Sequence, residues 1–414
     1  MPAVDRHRVV VTGMGIASPV GNDPRSAFAA LRRGASGIRA QPDWRPVPGL
    51  NAHVAGVVTG LDLKVLLPRK TRRTMGRVAQ LATYATGEAI RDAKLSEDLL
   101  RSGRLGVAIG STTGSTAATL DYYANILGAG IRANKGTAFL RIMSHTAAAN
   151  VALAFGVIGR VWGPSAACAS GSQSIGLGYE TLQAGLADVM ICGGAEEAHY
   201  TAAATFDLIG AASAGFNDRP EATPRPFDTG RDGMVVGEGA GILVLERLEH
   251  ARARGACAYA EVVGFATTCD AEHITSPEPE GMAFCMREAL VSAGAVAADV
   301  HYVNAHATGT VVGDRAEAKA TAAVFGDRVP VSSTKGHTGH TLGACGGIES
   351  IFAISMLQAG EVIPTKNLVT VDPECAGIWL PTAPLARELA LVMNNNFAFG
   401  GINTSLLFRR AERG

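Results

Sequence analysis

Ser165-Ala166-Ala167-Cys168-Ala169-Ser170-Gly171-Ser172-Gln173-Ser174-Ile175-Gly176 sets a cysteine between a run of small residues and a long apolar helical pattern, Ile175 to Leu186. That pattern leads into the strand-like Val189-Met190-Ile191-Cys192. The spacing predicts a strand-to-helix turn with Cys168 close to the helix N-terminus. Unpaired backbone N–H groups and the helix dipole there favour a thiolate, and so a better nucleophile. The same N–H groups can hold a developing oxyanion. A free cysteine is, however, most often a small buried hydrophobe, so its partners decide the reading.

Two downstream segments supply them. Tyr302-Val303-Asn304-Ala305-His306-Ala307-Thr308-Gly309-Thr310 reads as a short strand running into a small-residue turn that presents His306. Val331-Ser332-Ser333-Thr334-Lys335-Gly336-His337-Thr338-Gly339-His340 does the same for Lys335 and His340, ahead of an apolar helix from Ile348 to Leu357. Small flanking residues let backbone pack closely around all three side chains. Zinc at His337 and His340 is disfavoured, because no Cys-x-x-Cys or His-Glu-x-x-His accompanies them. Near the end, Asn394-Asn395-Asn396-Phe397-Ala398-Phe399-Gly400-Gly401 puts two aromatics on a loop hinged by glycines. They are either core anchors or a movable gate over an apolar pocket.

Cys168, His306, Lys335, His340 and the Phe-Ala-Phe-Gly-Gly loop, in this order, resemble the elongating β-ketoacyl-acyl-carrier-protein synthases, the Cys-His-His condensing enzymes of the thiolase superfamily. The resemblance runs from Val9-Val10-Val11-Thr12-Gly13-Met14-Gly15 through Pro226-Phe227-Asp228 and Gly237-Glu238-Gly239-Ala240-Gly241 to Asp314 with Glu317, and so spans essentially the whole chain. It implies a decarboxylating Claisen condensation. Cysteine suits the first step, since it exchanges one thioester for another and is a strong nucleophile near neutral pH. By this resemblance His306 and His340 hold the enolate formed from a malonyl thioester, and the backbone N–H groups of Cys168 and Phe399 form the oxyanion hole. Phe397, Phe399 and Gly400 belong to the gate. Lys335 is implied to organise His340, with Glu349, Asp314 and Glu317 supporting the site. No metal and no cofactor is expected, the substrates being carried on the phosphopantetheine arm of an acyl carrier protein.

The chain repeats itself. Leu182-Gln183-Ala184-Gly185 ends the helix after Cys168, and Leu357-Gln358-Ala359-Gly360 ends the helix after His340. Alternating helices and apolar strands imply α/β halves with covered sheets. The resemblance predicts the thiolase-like, five-layered αβαβα fold from two such halves. Residues 1–255 are expected to carry the nucleophile, and 256–414 both histidines and the phenylalanine loop. The active site should lie where the halves meet.

Composition narrows the rest. The 414 residues carry 37 basic and 37 acidic side chains, so no global field favours nucleic acid. Seven cysteines, odd in number and scattered, fit a reducing cytoplasm and no disulfide framework. Met1 leads towards the first strand with no charged-then-apolar leader. The apolar stretch Ala147 to Val161 is short and interrupted by Asn150 and Arg160, which favours a buried helix over a membrane span.

A carrier protein is acidic, so a local basic patch is expected. Lys64, Arg69, Lys70, Arg72, Arg73 and Arg77 form the densest cluster, and Arg132, Lys135 and Arg141 a second. The first falls where related enzymes dock their carrier; a solvated helix face is the alternative. Thr113 stands where fatty-acid enzymes often carry a large aliphatic group at the acyl pocket, with Phe206 a further pocket candidate. Glu196-Glu197 and Ala211-Ala212-Ser213 resemble the ketosynthases of bacterial aryl polyene clusters. Saturated fatty-acid elongation uses the same catalytic residues. A chain-length-factor subunit without catalysis would normally lack Cys168. Related enzymes imply a homodimer, or a heterodimer with a ketosynthase-like partner.

Overall fold

Buried aliphatic runs form the strands of the computed structural model, which describes residues 6–412. The first half holds β1 (Val9–Ala17), β2 (Leu105–Gly110), β3 (Val161–Trp162), β4 (Val189–Glu196) and β5 (Gly239–Arg247). The second holds β6 (Ala260–Cys269), β7 (Tyr302–Asn304), β8 (Val331–Ser332), β9 (Leu391–Ala398) and β10 (Ile402–Arg410). They pair in the order β8-β7-β9-β10-β6-β1-β5-β4-β2-β3. In each half the first strand is antiparallel to the fifth and the fifth to the fourth. The fourth is parallel to the second, and the second to the third. One topology therefore occurs twice. A short pairing of Val9–Val11 with Ala260–Val262 joins the copies edge to edge.

Eight helices position the site: α1 (Arg77–Ala93), α2 (Thr116–Ala129), α3 (Thr146–Phe155), α4 (Ser170–Gln183), α5 (Tyr200–Leu208), α6 (Pro279–Ala293), α7 (Val311–Phe325) and α8 (Cys345–Ala359). α1 and α3 cover the outer face of the first half, and α6 with α7 the outer face of the second. α4 and α8 pack on each other between the sheets, α8 touching both β5 and β9. The result is the five-layered αβαβα thiolase-like fold. Its middle layer buries Ile175, Leu182, Ile351, Phe352 and Leu406.

Close approach in that middle layer explains its composition. A Cβ on Gly346 would lie 2.2 Å from Ser172 Oγ and 2.4 Å from the Ser172 backbone nitrogen. α4 starts at Ser170, five residues before the apolar pattern begins, because its first turns are buried against α8 and only small side chains fit. The Ser174 hydroxyl donates back to the Ser170 carbonyl at 2.7 Å, which removes the cost of burying it. Among the described residues, the one helical segment long and apolar enough to pass as a membrane span by itself is Leu342–Ala359, and 83% of it is buried as the middle layer. The expected buried helix over 147–161 is shorter and one-sided: α3 ends before Gly156 (φ +69°), and Leu153, Ile158 and Val161 are exposed. The reading of the chain start at Met1 lies outside the described residues.

The duplication extends to the turns before the two central helices. Ala167 (φ +45°) and Leu342 (φ +48°) both adopt the left-handed conformation, each three residues before its helix begins. For a non-glycine residue that costs about 1–2 kcal/mol. At Ala167 the bend is held by Ser170, whose hydroxyl donates to the Ala167 carbonyl (2.6 Å) and accepts the Ala166 N–H (2.9 Å). Cys168 on one turn thus corresponds to Gly343 on the other.

Candidate active site

The left-handed Ala167 aims Cys168 out of its turn into the seam between the halves, while β7 and the short helix Lys335–Thr338 deliver the histidines from the other side. Cys168 Sγ lies 2.9 Å from His340 Nε2. The His306 and His340 rings meet edge to face, with centroids 4.9 Å apart. Sγ and one nitrogen of each ring all fall within 4.8 Å of one another. This trio is also where a thiophilic divalent ion would find ligands, as is the neighbouring set His306, Cys345 and Glu349. His337 stands apart, its Nδ1 bonded to the Ala35 carbonyl at 2.8 Å.

Burial sets the charge states. It pushes the Cys168 thiol up to about 12, although nearby Lys335 pulls the other way. The expected thiolate is therefore corrected: Cys168 stands two residues ahead of α4 and is almost fully buried, so desolvation outweighs the helix terminus. Burial, reinforced by the charge of Lys335, holds both His306 and His340 well below the ordinary imidazole range. The resting pair is a neutral thiol beside a neutral imidazole. Burial works against the Lys335 ammonium, but Glu349, together with Cys345 and Glu317, outweighs it and keeps the amine charged.

Lys335 Nζ and Glu349 form a fully buried ion pair at the core of this network. The other carboxylate oxygen of Glu349 accepts from Asn396 Nδ2 at 2.7 Å. Asn396 Nδ2 also lies 3.3 Å from His306 Nδ1 and 3.3 Å from Cys345 Sγ, and the Cys345 thiol donates to the Cys168 carbonyl at 3.2 Å. Asn396 and Cys345 were not singled out from the sequence. The available signal was alternation along β9, which turns the polar Asn394 and Asn396 to one buried face towards α8. Glu317 accepts the backbone N–H groups of His306 (2.7 Å) and Ala307 (2.6 Å), and Asp314 those of Phe227 (2.8 Å) and Gly309 (3.1 Å). Both acids therefore fix the loop that carries His306.

A cavity of about 360 Å³ opens onto the trio. Phe206, Phe397 and Phe399 share its wall with Cys168 and both histidines. Phe399 is 37% exposed, its ring centroid 5.6 Å from that of Phe206. Gly400 (φ +88°) and Gly401 (φ +70°) follow it in a conformation that favours glycine. The preceding Ala398 packs against Ala166, Cys168 and Ala169, which brings the start of this loop beside the nucleophile.

Residues 6–251 match the profile of the β-ketoacyl synthase N-terminal domain, and residues 259–369 that of the C-terminal domain. The chain belongs to the β-ketoacyl synthase family. It is 38% identical to 3-oxoacyl-(acyl-carrier-protein) synthase 1 of Haemophilus influenzae, covering 97% of this chain and 99% of that one. It is 40% identical to 3-oxoacyl-(acyl-carrier-protein) synthase 2 of Staphylococcus aureus, over 98% and 99%. A crystal structure of a β-ketoacyl synthase from Burkholderia phymatum superposes with a TM-score of 0.95 at 44% identity, covering 98% of this chain and all of that one. A type II PKS ketosynthase in complex with its acyl-carrier protein superposes at 0.88 with 30% identity, again covering 98% and 100%.

In this β-ketoacyl synthase the remaining sequence candidates are distributed unevenly. Thr113 is exposed and lies outside the cavity, its hydroxyl 3.3 Å from that of Thr116 and 3.4 Å from Glu196. Lys64, Arg69, Lys70 and Arg73 are exposed beside the equally exposed Val65 and Leu66, and none makes an ion pair among the described residues. Other basic residues of the two clusters are engaged internally. Arg77 pairs with Glu238 through two hydrogen bonds, Arg72 caps the Leu67 and Lys64 carbonyls, and Arg141 bridges to the Arg73 carbonyl.

Proposed function

We propose that the protein is a β-ketoacyl-acyl-carrier-protein synthase that condenses a Cys168-bound acyl group with a malonyl carrier thioester. The carrying observation is the 2.9 Å approach of Cys168 Sγ to His340 Nε2, with His306 edge-on beside it. In the first step the sulfur attacks the acyl thioester carbonyl and its proton passes to His340. The tetrahedral oxyanion faces the backbone N–H groups of Cys168 and Phe399, each such donor being worth roughly 10²–10³ in rate. The carrier sulfur departs and takes a proton from the imidazolium, which leaves the ring neutral. In the second step the bond between the malonyl carboxylate and its α-carbon breaks, carbon dioxide leaves, and the enolate oxygen is held by the N–H of His306 and by that of His340, whose proton exchanges to Nε2 once the acylated sulfur no longer donates there. The enolate carbon then attacks the acyl-Cys168 carbonyl, and the expelled Cys168 thiolate takes a proton from solvent water.

Neutral histidines suit this task, since a donor must bind malonyl thioester without protonating the enolate carbon. The reading requires no cofactor and no metal. It also assigns residues 1–255 to the nucleophile and 256–414 to the enolate site. Phe399, moving on Gly400 and Gly401, admits the acyl chain. Exposed Lys64, Arg69, Lys70 and Arg73 meet an acidic carrier. The exposed apolar residues Leu153, Ile158 and Val161, next to the free edge of β3, support assembly with a second ketosynthase-like chain. The resemblance to aryl polyene ketosynthases supports conjugated acyl groups as the substrate.

Intact-mass measurement tests this directly. Saturated medium-chain and conjugated aryl-enoyl carriers are offered together, and the adduct on Cys168 is weighed. The expected product is a conjugated adduct that malonyl carrier then extends. A saturated adduct instead assigns the enzyme to ordinary chain elongation, and extension by Cys168→Ala refutes the mechanism.

A further inference from the structure

Among the contacts around the trio, those of Asn396 carry a consequence for the reaction. A neutral imidazole has two tautomers, and only one of them presents an N–H at Nε2. Nδ1 of His306 faces Asn396 Nδ2 at 3.3 Å. The orientation of the Asn396 amide is set by its other partners. Its Nδ2 donates to Glu349 at 2.7 Å; burial pushes that carboxyl up, while the ion pair with Lys335 favours its charged, accepting form. Its Oδ1 receives the Ser172 hydroxyl from α4. Asn396 therefore turns an N–H towards His306.

We propose that Asn396 is a positioning residue that fixes the His306 tautomer, so that Nδ1 accepts and Nε2 carries the proton available to the enolate oxygen. This rests on the condensing role given to His306 above. Lys335 and Glu349 act on His306 through the same amide: the ion pair keeps Glu349 an acceptor, Glu349 orients Asn396, and Asn396 orients the ring. Cys345 Sγ shares the second N–H of Asn396, and its own proton goes to the Cys168 carbonyl. The same amide thus ties the enolate donor to the turn that bears the nucleophile.

Asn396→Asp puts an oxygen where the N–H stood, with almost no change of shape, and the one proton this carboxyl shares with Glu349 leaves its lone pairs towards His306. The His306 proton then moves to Nδ1 and the donor at Nε2 is lost. The expected outcome is a fall on the order of 10²–10³ in malonyl-carrier decarboxylation, with acyl transfer to Cys168 nearly unchanged. Equal loss in both half-reactions would mark Asn396 as merely structural and overturn the proposal. A second measurement needs no variant. Nitrogen NMR of the native protein with ring-labelled histidine should show His306 protonated at Nε2 and unprotonated at Nδ1; the reverse assignment overturns the proposal even if the folded Asp variant cannot be obtained. Failure of the condensing function itself is seen separately, as absent decarboxylation by the native enzyme.

Discussion

Removing the charge of Lys335 separates its electrostatic effect from its contribution to stability. Lys335 is fully buried and Glu349 nearly so. Lys335→Met leaves a buried carboxylate without its counter-ion, which costs about 3–5 kcal/mol. Lys335→Met with Glu349→Gln removes both charges and keeps an acceptor for Asn396. The glutamine NH2, with two N–H donors, is left without a partner, at about 1–3 kcal/mol, so the double variant should regain roughly half of the loss. Catalysis should not follow stability. The positive charge of Lys335 opposes protonation of both His306 and His340, whose rings are held well below the ordinary range by burial and then by that charge. Without it each ring binds a proton at higher pH, so the acid limb of the decarboxylation rate moves up in both variants. Urea unfolding monitored by circular dichroism gives the first quantity, and carbon dioxide release against pH the second. The reasoning is refuted if Lys335→Met unfolds within about 1 kcal/mol of the native chain, or if the acid limb stays in place.

Other expectations follow from single contacts. Gly346→Ala drives a Cβ into the Ser172 backbone, 2.4 Å away; thermal unfolding should show a loss of about 1–3 kcal/mol or more. The Cys168 thiol stays protonated up to about 12 when folded, against an ordinary 9.0. The unfolded chain thus releases that proton first, and stability contributed by Cys168 declines as pH rises above about 9. Urea midpoints for Cys168→Ala between pH 8 and about 11 should fall less steeply than those of the native chain. Lys70→Glu with Arg73→Glu should raise KM for the carrier at low salt while leaving kcat unchanged, and the difference should shrink at high ionic strength; a salt-independent effect would remove the docking role.

What was legible in the sequence was whatever a linear motif carries. Cys168, His306, Lys335 and His340 stand in order, each among small residues, and the repeated Leu-Gln-Ala-Gly endings disclosed the duplication behind the five layers. The charge state of Cys168 was not legible, because the helix-terminus argument is local whereas desolvation comes from residues more than a hundred positions away. Asn396 escaped for a similar reason. Its partners come from α4, α8 and the turn after β7, and only the packing of the two halves brings them together. The buried start of α4 was hidden by serines and glycines, which read as loop until their neighbour α8 is known.

The two left-handed turns also show why this molecule has one reacting centre rather than two. Ala167 and Leu342 make the same bend, which makes 343 the place in the second half equivalent to that of Cys168. A nucleophile has no room there. A side chain on Gly343 would begin 2.6 Å from the Thr112 backbone nitrogen and 2.9 Å from a Glu196 carboxylate oxygen. Glu196 accepts the Gly343 N–H at 3.2 Å and that of Thr112 at 2.6 Å, so an acid occupies the space where an acyl chain would have to grow. The division of labour between the copies is thereby locked in by sterics, and grafting a cysteine onto the second turn would require rebuilding the end of β4 as well.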